Sequence, residues 1–157
     1  MMNHSNQQLN YWPWKLNWKS KIPHKVACFV WLLAEEAVLT QENLMKRGII
    51  LSPMCFLCGE QAETVNHLIL HCRITGQLWR LFLNLRGIAW SMPGKITEAL
   101  KSWEGSRSAS KRQKQTRIVP TCIWGTICRE RNSKCFENVE NSMEKIKLNC
   151  LLILCFV

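Results

Sequence analysis

Aspartate is absent from this chain of 157 residues, and all eleven of its acidic residues are glutamate. Polymerases, RNase H-type nucleases and most other two-metal phosphoryl-transfer enzymes hold their ions with clustered carboxylates, usually rich in aspartate. The four histidines show no Ser-His-acid or Cys-His spacing typical of a hydrolase, and Glu60 and Glu63 are expected to be exposed loop charges. We therefore predict that the chain has no catalytic activity of its own.

Long apolar runs are also missing. The longest, residues 150–157, is far shorter than the roughly 20 residues that span a bilayer. Residues 1–10 are polar and lack the apolar core of a signal peptide. The nine cysteines are an odd number, and several stand within apolar stretches. These features favour a reduced intracellular compartment, nucleus or cytoplasm, without membrane contact, where cysteines serve as core residues or metal ligands.

The net charge of +10 is concentrated in two short blocks. Residues 1–25 carry +4 and residues 101–117 carry +5, whereas residues 26–100 are neutral. Such blocks fit contact with a polyanion such as RNA or single-stranded DNA, although solvated, flexible surface segments would have the same composition. The candidate nucleic-acid-binding residues are Lys15, Lys19, Lys21, Lys25, Arg107, Lys111, Arg112, Lys114 and Arg117.

The apolar periodicity predicts a mostly helical fold. One helix is expected over residues 20–37, with Ser20 as its cap and Pro23 in its first turn. Thr40 is the expected cap of a short helix, and Thr64 of another that runs to residue 71. A helix from about residue 75 should carry Leu78, Phe82 and Leu85 on one face and end at Gly87. Shorter or later helices are expected over residues 97–103, from Pro120 towards residue 136, and from residue 142 to the end.

Composition divides the chain into four segments. Residues 1–10 are expected to be disordered, and residues 11–103 to form a small domain. Residues 104–116 form a basic linker rich in Ser, Lys and Arg, and residues 117–157 a C-terminal helical segment.

Four potential metal ligands follow the spacing C-x2-C-x8-H-x4-C, namely Cys55, Cys58, His67 and Cys72. Zinc prefers four such ligands in a tetrahedron, and a short loop or hairpin can place both sulfurs of a C-x2-C turn on one ion. Their ligand atoms should then converge to within about 3–4 Å. Because the protein fills all four positions, the spacing predicts a structural zinc. In the alternative interpretation, the two loop cysteines bind nothing and His67 caps a helix.

A second histidine competes for the site. His71 lies one helical turn after His67 and is bonded directly to Cys72. Adjacent side chains point in different directions, so His71 and Cys72 are poorly placed to share one ion. We therefore predict that His71 faces solvent or supports the ligands from outside.

The chain resembles the zinc-binding domain that follows the polymerase in plant LINE-type (non-LTR retrotransposon) reverse transcriptases. The resemblance covers about residues 11–90, and its motif elements occur in the family's order. They are Trp18-Lys19, Pro23-His24-Lys25, Phe29-Val30-Trp31, Thr40, Cys55, Cys58, Glu63-Thr64, His67-Leu68, Cys72 and Leu78-Trp79. The segment from Trp124 to Phe136, with Arg129-Glu130-Arg131-Asn132, is similar to the family's later W-x-x-W-x-E-R-N motif but lacks some of its aromatic residues.

The resemblance implies a Zn²⁺ cofactor and a truncated retroelement fragment, without polymerase or RNase H. Two functions are then open. As an accessory module the chain would bind nucleic acid through the basic blocks, with Trp12 and Trp14 available to stack on bases. As a structural or protein-interaction module it would pack on a reverse transcriptase polymerase domain and bind no nucleic acid itself.

Overall fold

The computed structural model describes residues 24–49, 52–104 and 118–156. These residues are mostly helical, as predicted, and their only β interaction is an isolated antiparallel bridge between Met54 and Ala62. The helical elements, in chain order, are α1 His24–Ala34, α2 Gln41–Lys46, the π-turn His67–His71, α3 Arg73–Arg86, α4 Ile96–Glu104, α5 Val119–Glu137 and α6 Met143–Phe156.

Helix α1 ends at Ala34, three residues before the predicted end at residue 37, and α2 begins directly after its predicted cap. Val30 and Leu33 of α1 are buried, whereas the predicted cap Ser20 and the predicted first-turn residue Pro23 lie outside the described residues. Thr40 caps α2 as predicted, since its Oγ1 accepts a hydrogen bond from the Asn43 amide at 3.4 Å. This cap satisfies one of the amides that the first turn of a helix leaves without a partner.

Helix α3 begins two residues earlier than predicted and ends at Gly87, which takes the left-handed conformation with φ 62°. Leu78 and Phe82 are buried, whereas Leu85, predicted on the same face, is 61% exposed. The buried stripe of α3 advances at 3.6 residues per turn, and its continuation falls nearer the half-buried Arg86 than Leu85.

The C-terminal helices join the core built by the earlier elements. Helix α5 packs on α3, on α1 and on the π-turn, and α6 packs on α5 and α3. Four tryptophans meet inside this core, with ring centroids 4.9–6.2 Å apart in the measured pairs. They are Trp79, Trp90, Trp103 and Trp124. Most of the predicted linker lies outside the described residues, and the four-segment division stays a prediction.

Within the described part of the chain, every helix is too short or too polar to cross a bilayer.

Two glycine substitutions should change stability in opposite directions. Gly125 lies inside α5, and a Cβ there would meet no atom within 4 Å, so Gly125→Ala should stabilise the fold by roughly 0.5–1 kcal/mol. Gly87→Ala also meets open space, but its positive φ disfavours a side chain and should cost about 1 kcal/mol. Urea unfolding of the zinc-loaded chain measures both changes. Equal changes in the free energy of unfolding for the two variants would contradict the placement of Gly125 inside a helix and of Gly87 at a left-handed helix end.

Candidate metal centre

The four predicted ligands converge. One ligand atom from each of Cys55, Cys58, His67 and Cys72 can be chosen so that all four lie within 4.8 Å of one another. Cys58 Sγ and His67 Nε2 are 3.3 Å apart. The full span is wider than the 3–4 Å expected from the sequence, but all four side chains still meet at one point. Three of the side chains are buried and Cys58 is half-buried.

The first two cluster residues, Cys55 and Cys58, lie on a tight turn closed by backbone hydrogen bonds. The Cys55 amide donates to Gln61 O and the Gly59 amide to Cys55 O, both at 2.8 Å. Gly59 has φ 67°, a conformation that favours glycine and lets the chain turn away from the metal centre. The Met54–Ala62 bridge closes this segment, which is the short loop or hairpin that the sequence predicted.

Backbone amides of the turn point at its sulfurs. The amides of Cys58 and Leu57 hydrogen-bond the Cys55 sulfur, and the Glu60 amide lies 3.5 Å from Cys58 Sγ. An N–H dipole directed at sulfur stabilises the thiolate, which is the form that binds zinc. The turn therefore positions both sulfurs and directs backbone amides towards them.

The π-turn explains how His67 and Cys72 can share a site. In an α-helix, residues five apart point about 140° away from each other. Here the Cys72 amide donates to His67 O at 2.6 Å, so the hydrogen bond spans five residues and the turn holds one residue more than an α-turn. This widened turn brings both side chains to one face. Thr64 fixes its start, since Thr64 Oγ1 accepts from the His67 amide at 3.0 Å.

Cys72 stands at the N-terminus of α3. The pKa of its thiol is held below the ordinary value chiefly by a hydrogen bond from Cys55, helped by the amides of Ile74 and Thr75, while burial opposes the shift. The same hydrogen bond, together with burial, raises the pKa of Cys55. Zinc binds cysteine as the thiolate, so metal binding at these two sulfurs would release protons.

The His67 imidazole is neutral, and one of its ring nitrogens has no hydrogen-bond partner among the described residues. Burial lowers the pKa of His67, with Glu63 opposing the shift, so the ring is uncharged at neutral pH, which is its metal-binding form. Its Nε2 faces the sulfur of Cys58, and its buried Nδ1 has no hydrogen-bond partner among the described residues. Three sulfurs and one neutral imidazole form the donor set that zinc prefers.

His71 does not enter the cluster. Its side chain is exposed, and its Nε2 lies 3.2 Å from Gly94 O. The other cysteines also stay out of the cluster. Burial raises the pKa of Cys122 and of Cys128 to about 12, so both remain thiols at neutral pH.

The prediction that Glu63 is an exposed loop charge is wrong, whereas Glu60 is exposed and pairs with Arg73 at 3.2 Å. The Glu63 side chain is fully buried and accepts hydrogen bonds from the amides of Gln41 and Phe56 and from the Arg131 guanidinium. A glutamate in a loop is normally solvated, so its residue type and its place in the sequence predict exposure. The sequence signal for its burial is the position of Glu63 directly before the capping Thr64, within the Glu63-Thr64 element of the family motif.

Lys25 is the one candidate nucleic-acid-binding residue within the described part of the chain, and it is exposed. The other eight candidates lie outside the described residues: Lys15, Lys19, Lys21, Arg107, Lys111, Arg112, Lys114 and Arg117.

Comparison with known proteins agrees with this geometry. A family model described as "zinc-binding in reverse transcriptase" matches residues 1–79, which include all four clustered side chains. A "Putative ribonuclease H protein" of Arabidopsis thaliana is 27% identical over 130 residues, covering 78% of this chain and 21% of the relative. The chain thus spans about a fifth of that relative's length. No solved structure matches the chain. Since the family model covers half of the sequence and the Cys/His cluster lies within it, the chain belongs to the family of zinc-binding domains of reverse transcriptases.

Proposed function

We propose that this chain is a non-catalytic module from a retroelement reverse transcriptase in which Cys55, Cys58, His67 and Cys72 hold one structural Zn²⁺. The observation that carries the proposal is the convergence of these four side chains within 4.8 Å. With three thiolates and one imidazole bound, a tetrahedral ion has no position left for a reactive water. The zinc therefore stabilises the fold instead of activating a substrate.

The surrounding carboxylates also support a structural role. Glu63, the buried acid nearest the site in sequence, has both oxygens engaged by backbone amides and the Arg131 guanidinium. A carboxylate held in this way is not available as a general base. We place the protein in the nucleus or cytoplasm, because a reducing compartment preserves the thiols that the metal requires.

Metal analysis of the purified full chain tests the ligand set. We expect one zinc per chain, and we expect a serine at any of the three cysteine positions to remove it. Cys122→Ser and Cys128→Ser are matched controls, since these two cysteines lie outside the cluster and should leave the zinc content unchanged. A chain that retains one zinc after Cys55→Ser and Cys72→Ser would refute the assignment.

We further propose that the module contacts RNA or single-stranded DNA without sequence preference, through the two basic blocks. Their charge and the exposed Lys25 support this role. Phosphate contacts made by lysine and arginine release counterions, which makes binding steeply dependent on salt.

Neutralising Lys111, Arg112 and Lys114 together should flatten the slope of log K against log[salt] by about 2–3 units, if each contacts one phosphate. Fluorescence anisotropy with a labelled single-stranded oligonucleotide measures the slope. The matched control neutralises Arg47, Arg80 and Lys95, three exposed bases of the electrically neutral central region. An equal change of slope in the two triple variants would show that Lys111, Arg112 and Lys114 are not part of the binding surface.

The alternative function is a module that packs on a polymerase domain and binds no nucleic acid. The large apolar side chains left on the surface favour it, since Trp31 is 55% exposed and Phe136 is 76% exposed. The two functions separate in the oligonucleotide titration. A packing module should show no salt-dependent binding at any ionic strength.

A further inference from the structure

The buried carboxylate of Glu63 joins three separate parts of the chain. Its Oε1 accepts from the Gln41 amide at 3.1 Å, at the start of α2, and its Oε2 accepts from the Phe56 amide at 2.9 Å, inside the C-x2-C turn. Its third partner is Arg131 of α5, whose Nε and Nη2 lie 3.1 and 2.8 Å from Oε1. Glu63 and Arg131 are 68 positions apart in sequence.

Arg131 reaches this site from well beyond the region that the family model matches. Its side chain is only 6% exposed, and its guanidinium lies 5.3 Å from the centroid of the Phe56 ring. Arg131 therefore contacts both the carboxylate and the aromatic residue that follows the first cysteine ligand. A second contact joins α5 to the same turn, since Lys134 Nζ lies 3.5 Å from Leu57 O.

These contacts hold Phe56, in the middle of the C-x2-C turn, between Glu63 and Arg131. The Phe56 amide is held by Glu63, and the Phe56 ring is covered by Arg131. Because Phe56 lies between Cys55 and Cys58, a shift of this residue would move both sulfurs. A buried carboxylate without its cationic partner is strongly destabilised, so Glu63 keeps this position only while Arg131 is present.

From this geometry we infer that Glu63 and Arg131 are positioning residues for the metal centre, and that helix α5 is an integral part of the zinc-binding unit. The inference rests on the proposed zinc ligands. It goes further by assigning a role in metal affinity to a helix that contributes no ligand. Residues that hold metal ligands from outside typically change affinity by about 10–100-fold when they are replaced.

The central variant is Arg131→Met, made in the full chain. It keeps much of the side-chain length but removes the charge and the hydrogen bonds. We expect zinc to bind about 10–100-fold more weakly, measured by competition with a chromophoric chelator. Arg131→Lys restores the charge without the planar guanidinium and should recover part of the loss.

Two exposed arginines serve as matched controls. Arg129 lies on the same helix, and Arg73 pairs with the exposed Glu60 directly beside the ligand Cys72. Arg129 is exposed and the exposed Arg73–Glu60 ion pair contributes little, so Arg129→Met and Arg73→Met should change zinc affinity less than about fivefold. An Arg131→Met variant with unchanged affinity would overturn the inference.

The absorption of the cobalt-substituted chain separates a positioning role from simple loss of stability. Co²⁺ bound by three thiolates and an imidazole reports ligand geometry through its visible bands. At saturating cobalt, Arg131→Met should give shifted or weakened bands, because Phe56 and the adjacent sulfurs are displaced. Bands identical to those of the parent chain at saturation would show that Arg131 acts on stability alone, and would overturn the positioning role.

If Arg131→Met does not fold, the double variant Glu63→Leu/Arg131→Met decides the question. Replacing both partners of a buried ion pair by apolar residues is often neutral for stability, so this variant should remain folded. It still deprives the Phe56 amide of its acceptor and should bind zinc about tenfold more weakly or worse. Affinity equal to that of the parent chain would refute the inference. A parent chain that binds no zinc would instead refute the proposed ligand set.

Discussion

We expect His67→Ala to abolish zinc binding and to unfold much of the segment from residue 52 to 80, and His71→Ala to leave both intact. His67 is buried, with Nε2 3.3 Å from Cys58 Sγ, and it belongs to the ligand cluster. A structural zinc contributes on the order of 10–16 kcal/mol of apparent binding energy at neutral pH. That is as large as the whole stability of a typical domain, about 5–15 kcal/mol. Losing one of four ligands therefore removes most of what holds the segment folded.

His71 is the matched control for His67, since it is the same residue type four positions later in the same turn. Its side chain is exposed and its one described contact is with Gly94 O at 3.2 Å. Losing such a hydrogen bond costs about 0.5–1.5 kcal/mol, too little to release the metal. Zinc content and the far-UV circular dichroism of both variants, purified side by side, measure the difference. Zinc lost from the His71 variant and kept by the His67 variant would reverse the assignment.

The convergence of the Cys/His cluster could be predicted from sequence because its determinants are local. All four cluster residues lie within an eighteen-residue segment, and each stands beside a recognisable feature of the backbone. Gly59 follows the C-x2-C turn, and Thr64 precedes the turn that carries His67. The choice between His67 and His71 also followed from sequence, since adjacent side chains diverge. The π-turn did not, because no residue type specifies a hydrogen bond spanning five residues.

The contacts between distant segments could not be predicted. Glu63 was expected in solvent because its buried partner, Arg131, lies 68 residues away, and periodicity within a segment carries no information on such a pair. The exposure of Leu85 has a related cause. An apolar residue at the edge of a helical stripe is buried only if another element covers that edge, which depends on packing between helices.

The second large effect concerns Trp79, at the centre of the tryptophan cluster. Its side chain is 1% exposed, and its ring centroid lies 4.9 Å from that of Trp90 and 6.2 Å from that of Trp124. Its indole Nε1 donates to Ile69 O at 3.2 Å, within the π-turn that carries His67. Trp79→Ala should therefore cost about 3–5 kcal/mol through the cavity alone. The loss of the hydrogen bond from Trp79 to the buried Ile69 carbonyl should add to this cost.

A pair of phenylalanine variants isolates that hydrogen bond. Trp79→Phe and Trp124→Phe remove the same ring volume from equally buried sites, but the Trp124 indole N–H has no hydrogen-bond partner among the described residues. Trp79→Phe leaves Ile69 O without its donor, whereas Trp124→Phe removes a buried N–H that was unsatisfied. The free energy of unfolding, from urea titration of the zinc-loaded chains, should fall further for Trp79→Phe by about 1–3 kcal/mol. Equal losses would mean that Trp79 stabilises the π-turn by packing and not through its hydrogen bond.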